Sequence, residues 1–296
     1  MSVFDRVGNT PLVELKNLGA RHVSLFAKAE FGNPSGSVKD RAAAAMILEG
    51  IERGLLVKGK TMIDATSGNT GIAYAMLGAA LGFPVALYMP QNTSQERKQI
   101  IRCYGAEIVE TSPLEGSDGA FEAVRIAVAA DPEKYFYPDQ YNNPANPNAH
   151  FTGTGVEILR QTGGGVTHFV AGMGTSGTFV GVSRRLKQDQ PGVKTFAVQP
   201  ASPLHGIEGT KHMASTIRPG ILDESLIDRI LTVTTEEAYE MTRRLARQEG
   251  LFAGISSGGN VAASLKLAET LPPGSVVVTI LCDSGSRYVS DPFWEA

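Results

Sequence analysis

Cysteine is scarce: Cys103 and Cys282 are the only two in 296 residues. Two cysteines cannot build a disulfide framework, so a reducing compartment and a cytoplasmic setting are expected. The five histidines (His22, His150, His168, His205, His212) show no His-x-x-x-His pattern, and no Cys-x-x-Cys occurs. That spacing excludes the common structural zinc motifs, and no metal is expected. A preponderance of one charge sign is also missing. Lys and Arg number 27 against 30 Asp and Glu, a net −3, with no block of like charges. Neither nucleic acid nor an anionic membrane surface is an expected partner. Residues 1–6 lack a basic stretch followed by an apolar one, so no signal peptide is expected. One long run is nearly uncharged, residues 72–90. Gly78, Gly82 and Pro84 interrupt it, and its composition turns strand-like at Pro84. It reads as a buried helix, a turn and a buried strand rather than a membrane span.

Glycine is plentiful, at 33 residues, which implies many tight turns and close backbone approaches. Short apolar runs alternate with helical periodicity along most of the chain. Strands are predicted at 23–29, 61–65, 85–88, 107–111, 168–171, 195–198 and 275–281. Helices are predicted at 38–53, 69–81, 94–104, 117–130, 177–187, 235–249 and 258–270. This alternation predicts an α/β fold, mostly parallel sheets flanked by helices. Residues 138–147 (PDQYNNPANP) read as loop and as the best domain crossover. Residues 201–225 form a long irregular stretch of the kind that is often functional.

Four segments at loop-to-helix junctions carry the chemistry. In open α/β sheets ligands bind beyond the carboxyl ends of strands, so junctions are the place to look. The first is Asn33-Pro34-Ser35-Gly36-Ser37-Val38-Lys39-Asp40-Arg41. It puts Lys39 in a helix's first turn, where the helix dipole disfavours its charge. Burial would disfavour it further. A neutral amine is what Schiff-base formation needs. The alternative is a surface lysine paired with Asp40. The second is Thr66-Ser67-Gly68-Asn69-Thr70-Gly71, where hydroxyls and backbone N–H groups at a helix start suit a carboxylate. The alternative is a capped turn. The third is Gly172-Met173-Gly174-Thr175-Ser176-Gly177-Thr178, which suits a phosphate. It contains G-x-G-x-x-G, yet Gln199 and Pro200 stand where a dinucleotide site needs an acid, so a single phosphate is preferred. The fourth, Gly254-Ile255-Ser256-Ser257-Gly258-Gly259, opens a helix with two hydroxyls that either cap or bond a ligand. Together the four supply what pyridoxal 5'-phosphate requires: an amine for its aldehyde, a cradle for its phosphate and a partner for its ring nitrogen.

At these residues the chain resembles the cysteine synthase (O-acetylserine sulfhydrylase) and cystathionine β-synthase family, of the tryptophan-synthase-β type, PLP fold type II. The matching stretches are GNTPLV (8–13), NPSGSVKDR (33–41), TSGNTG (66–71), MP (89–90), NPAN (143–146), GMGTSGT (172–178), GISSGG (254–259) and SRYVS (286–290). The resemblance implies two α/β domains, a smaller one over 36–147 and a larger cofactor-binding one combining 1–35 with 148–296, the cofactor in the cleft between them. It implies Lys39 as the Schiff-base lysine and catalytic base. Asn69 would bond the cofactor's 3′-oxygen, and Gly174, Thr175, Ser176, Gly177 and Thr178 its phosphate. Ser256, ahead of Ser257, would face the ring nitrogen. Thr66, Ser67, Gly68, Thr70 and Gln140 would take the substrate α-carboxylate.

The implied reaction is β-replacement. It makes L-cysteine, or S-sulfocysteine, from O-acetylserine or O-phosphoserine and a sulfur donor: sulfide, thiosulfate or a carrier thiocarboxylate. Cys282-Asp283 resembles the cysteine synthase B branch. That branch often carries an arginine pair after the Gly-Ile near 206–207, where this chain has Gly206-Ile207-Glu208-Gly209-Thr210-Lys211, so Lys211 and Arg218 are the basic residues to examine. Cys282 itself also reads as a small buried hydrophobe. The resemblance implies a homodimer, with a sulfur-carrier protein or serine acetyltransferase as candidate partners. The end at Ala296 implies no regulatory C-terminal domain. The alternatives are a minimal cystathionine β-synthase using serine and homocysteine, a non-catalytic binding module on the same fold, and a dehydrogenase.

Overall fold

The computed structural model describes residues 2–19, 22–66 and 68–295. The chain opens with β1 (Leu12–Glu14) and β2 (Ser24–Ala29). There follow α1 (Lys39–Glu52), β3 (Thr61–Ala65), α2 (Asn69–Leu81), β4 (Val85–Pro90), α3 (Gln95–Cys103), β5 (Glu107–Thr111), α4 (Gly116–Ala130) and β6 (Tyr135–Phe136). Then come α5 (Ala145–Ala149), a π turn (His150–Thr154), α6 (Gly155–Gln161), β7 (His168–Gly172), α7 (Gly177–Asp189) and β8 (Lys194–Pro200). The chain closes with β9 (Arg229–Val233), α8 (Thr235–Glu249), α9 (Ile255–Ala268) and β10 (Val276–Leu281).

Two compact units result. One is Met1–Val7 with Lys39–Asn146, the other Gly8–Val38 with Pro147–Ala296. In the first, four parallel strands lie in the order β5-β4-β3-β6. Alternate residues of a strand face opposite sides, so both faces need an apolar cover. Met62, Leu87 and Met89 join Met46 of α1 and Ile72 of α2 in one core. Ile63 and Ala65 join Ala120, Phe121 and Val124 of α4 in the other. Residues 2–7 go with this unit because Val3, Phe4 and Val7 pack against the first of these cores.

In the second unit six strands lie in the order β1-β2-β10-β7-β8-β9. Only β1 runs antiparallel, against β2. Leu25, Val170 and Val277 face one core, while Phe26, Phe169 and Val278 face another. Helices α8 and α9 cover the first of these. Helix α8 starts with a capping box: the Thr234 side chain accepts from the Glu237 N–H at 3.2 Å, and Glu237 accepts from the Thr234 N–H at 3.0 Å. Thr234→Ala removes half of this reciprocal pair and is expected to cost about 1 kcal/mol. The check is a melting temperature lower by a few degrees; an unchanged one would refute the cap's role.

Where the elements differ from expectation, the reasons are local. β1 and β6 are too short to show alternation, and β9 is an edge strand with Arg229 and Ile230 exposed. The helical stretch from α5 to α6 begins in Asn- and Pro-rich sequence and passes through the π turn, which breaks its periodicity. Among the described residues no helix is long and apolar enough to cross a membrane; α2 spans 13 residues.

Candidate active site

The first unit carries the Lys39 and TSGNTG segments. Lys39 is the first residue of α1 and is half-buried, while its neighbours Asp40 and Arg41 are buried. Strand β3 ends at Ala65 and α2 begins at Asn69, so Thr66 and Gly68 lie in the short junction. Ser67 lies outside the described residues. Thr66 is buried, and its Oγ1 accepts from the N–H groups of Gly68 at 3.2 Å and Gly71 at 3.3 Å. Thr70 donates its hydroxyl to Gln140 Oε1 at 2.8 Å. Gln140 Nε2 donates to the Ala65 carbonyl at 2.9 Å. The junction is therefore tied to a residue seventy positions away, and Thr66, Gly68, Thr70 and Gln140 come together. Asn69, half-exposed at the first position of α2, adjoins them. The N–H groups of a helix's first turn have no intrahelical acceptor, which suits an anion.

The second unit carries the glycine turn between β7 and α7. Gly174 lies so close to a neighbouring turn that a Cβ there would sit 2.2 Å from the Gly209 carbonyl oxygen. Lys211 N–H donates to the Met173 carbonyl at 2.8 Å and pins the two turns together. Ser176 caps α7 in the left-handed region, φ +70°. Thr175, Ser176 and Gly177 are buried and Thr178 is partly so. Thr178 Oγ1 lies 3.3 Å from His150 Nε2, and His150 Nδ1 lies 2.9 Å from Thr154 Oγ1. His150 is fully buried and fixes the Thr178 rotamer.

The comparisons with known proteins are decisive here. The family model described as pyridoxal-phosphate dependent enzyme matches residues 3–283. The chain belongs to the pyridoxal-phosphate-dependent enzymes. It is 52% identical to a cysteine synthase of Aquifex aeolicus, over 98% of this chain and 90% of that protein. It is 46% identical to cysteine synthase B of Salmonella typhimurium, over 96% of this chain and 93% of that one. A crystal structure of a cysteine synthase from Entamoeba histolytica superposes with a TM-score of 0.94 at 36% identity, covering 100% of this chain and 90% of the other.

For a pyridoxal-phosphate-dependent enzyme the glycine turn is a fitting phosphate cradle. Ser176 Oγ is buried and, among the described residues, has no hydrogen-bond partner. An unmet buried hydroxyl costs free energy, and an anion's oxygen meets it. Its side chain does not cap α7, so the helix's first-turn N–H groups lack that acceptor.

GISSGG differs from expectation. Helix α9 begins at Ile255, with Gly254 extended before it, so both serines lie in its first turn rather than in a loop. Ser257 Oγ accepts from the Cys282 N–H at 2.8 Å. Ser257 is fully buried in that structural bond, whereas Ser256 makes no such tie to β10's end. Cys282 is half-buried, and Asn260 Nδ2 reaches its sulfur at 3.4 Å and the Ile280 carbonyl at 2.9 Å. Of the two basic residues, Lys211 is buried beside the cradle, while Arg218 is 59% exposed in an ion pair with Glu224 at 3.0 Å. Sequence reasoning missed His150, Asn260 and Asp64, a fully buried acid two residues before Thr66. An acid inside the apolar strand Thr61–Ala65 was a signal that could have been followed.

Proposed function

We propose that this chain is a cysteine synthase. It replaces the β-substituent of O-acetylserine or O-phosphoserine with sulfur from sulfide, thiosulfate or a carrier thiocarboxylate. The observation that carries the reading is the similarity to cysteine synthases over nearly the whole chain, joined to a Thr66–Thr70 junction tied by buried hydrogen bonds to Gln140 and a glycine turn with the unmet buried hydroxyl of Ser176.

The cofactor, when bound, supplies an electron sink that lets a proton leave Cα and a leaving group leave Cβ. The chain's residues supply the rest. Gly174, Thr175, Ser176, Gly177 and Thr178 would hold the phosphate, Asn69 the 3′-oxygen, and Lys39 the aldehyde carbon. Ser256 offers the ring nitrogen a neutral hydroxyl. Such a partner does not stabilise a protonated ring as a carboxylate would, which favours elimination at Cβ over transamination. Thr66, Ser67, Gly68, Thr70 and Gln140 bind the α-carboxylate and orient Cα. The Lys39 amine would take the Cα proton and later return it. A homodimer in the cytoplasm belongs to the same reading, with a sulfur-carrier protein or serine acetyltransferase as candidate partners.

The test is a product assay by mass spectrometry on the purified protein with added pyridoxal phosphate. O-acetylserine with sulfide, or with thiosulfate, should give cysteine or S-sulfocysteine faster than serine with homocysteine gives cystathionine. Equal or faster cystathionine formation overturns the assignment.

A further inference from the structure

The nest described above has a second layer beneath it. Asp64 is the fourth residue of β3 and is fully buried, on the strand face shared with Met62. Its Oδ1 accepts from the Ala65 N–H at 2.7 Å. Its Oδ2 is buried and has no donor at ordinary hydrogen-bond distance among the described residues, although the Tyr74 hydroxyl and the Gln140 N–H lie near enough to favour the carboxylate. The Ala65 carbonyl receives Gln140 Nε2, and Gln140 Oε1 receives the Thr70 hydroxyl. Both backbone polar groups of Ala65 are thus held by side chains: the N–H by Asp64, the C=O by Gln140. The titratable groups facing the Asp64 carboxyl are Tyr74 on α2, and Tyr137, Asp139 and Tyr141 on the segment after β6. That same segment carries Gln140.

We propose that Asp64 is a positioning residue for the substrate: its buried carboxyl sets the seat of Gln140, and through Gln140 the shape of the Thr66–Thr70 nest. The inference rests on reading that nest as the α-carboxylate site.

The direction of the effect follows from burial. Desolvation pushes Asp64 up from 3.8 to about 8, the Tyr74 hydroxyl and the Ala65 N–H oppose this, and Asp139 adds to it. At neutral pH the group is therefore an un-ionised acid, and the 137–141 segment closes over it without a buried charge. Above about pH 8 a carboxylate appears there, facing Asp139. It is relieved when the segment moves away or admits water, and Gln140 moves with it. Affinity for the substrate carboxylate then falls. Stability moves in the same sense. Between 3.8 and about 8 the folded chain holds a proton that the unfolded chain has lost, so this group's contribution to stability declines as pH rises through that window.

The experiment compares the cofactor-loaded wild type with Asp64→Asn and Tyr74→Phe, using O-acetylserine and sulfide between pH 6.5 and 9.5. Infrared difference spectra of the wild type at pH 7 should contain the carbonyl stretch of an un-ionised carboxylic acid that Asp64→Asn lacks. The wild-type KM for O-acetylserine should rise several-fold above about pH 8; Asp64→Asn should lack that rise, while the ratio of the two kcat values stays independent of pH. Tyr74→Phe removes a group that favours the carboxylate and should move the rise to higher pH, which keeps the test available if Asp64→Asn does not fold. An identical rise in the wild type and Asp64→Asn, no shift in Tyr74→Phe, or no un-ionised carboxyl in the wild type overturns the proposal. Gln140→Ala is the separate control. It should raise KM at every pH, and an unchanged KM removes the nest reading itself, whatever the infrared spectra show.

Discussion

Lys39→Ala is expected to give a folded protein whose turnover is lower by about 10⁴-fold or more, because in the proposed cysteine synthase one substitution removes both the covalent anchor and the proton-transfer group. Alanine is the best helix former, so α1 should tolerate the change at its first position. Apolar residues farther along α1, among them Ala43, Met46 and Ile47, stay buried in the first unit's core and hold the helix in place. Circular dichroism should match the wild type. Borohydride reduction followed by peptide mass spectrometry should find the cofactor on Lys39 in the wild type and nowhere in the variant. Covalently held cofactor in Lys39→Ala, or turnover within tenfold of wild type, would remove Lys39 from its assigned role.

Gly174→Ala tests the proposed phosphate cradle. The new methyl would meet the Gly209 carbonyl oxygen at 2.2 Å, a contact between two backbone turns rather than with a side chain that can swing away. The bond from Lys211 N–H to the Met173 carbonyl resists separation of those turns. Overpacking of this kind costs about 1–3 kcal/mol. Spent on opening the cradle, that weakens cofactor affinity by roughly 10- to 100-fold. Equilibrium dialysis against pyridoxal phosphate measures it. The matched control is Gly192→Ala, where nothing lies within 4 Å of the added Cβ, and it should bind as the wild type does. Equal affinities in the two variants would mean that the glycine turn does not hold the phosphate.

The α/β architecture was legible because strands such as Thr61–Ala65 and Val276–Leu281 are apolar, bounded by turn residues, and alternate with helices. Helices with strong stops were legible too: Leu81 is followed by Gly82 at φ +74°, and Glu249 by Gly250 at φ +67°. The start of α9 was not. Gly254, Ser256, Ser257 and the two glycines after them are poor helix formers, and the segment is helical because it is buried from Ile255 through Ser264. Among the candidate segments, TSGNTG and GMGTSGT were visible because hydroxyls and glycines at a helix start are a local pattern. The tie between Thr70 and Gln140 was not, since a lone glutamine in a Pro/Asn-rich loop carries no periodic signal. Only the family resemblance pointed to it. His150 escaped for a similar reason: its partners Thr154 and Thr178 lie on the π turn and on α7, and no spacing rule joins them.

The second unit's sheet places β2, from the start of the chain, directly beside β10, from its end. A ribosome therefore releases the whole of Lys39–Asn146 while Ser24–Ala29 still lacks its inner neighbour. Until Val276–Leu281 emerges, one edge of that early strand stays open to other chains, and its pairing joins residues 252 positions apart, as Ser24 with Val276. With Lys39–Asn146 inserted between them, β10 is the latch for β2, so a nascent chain halted before Val276 presents an unpaired strand edge to misassembly.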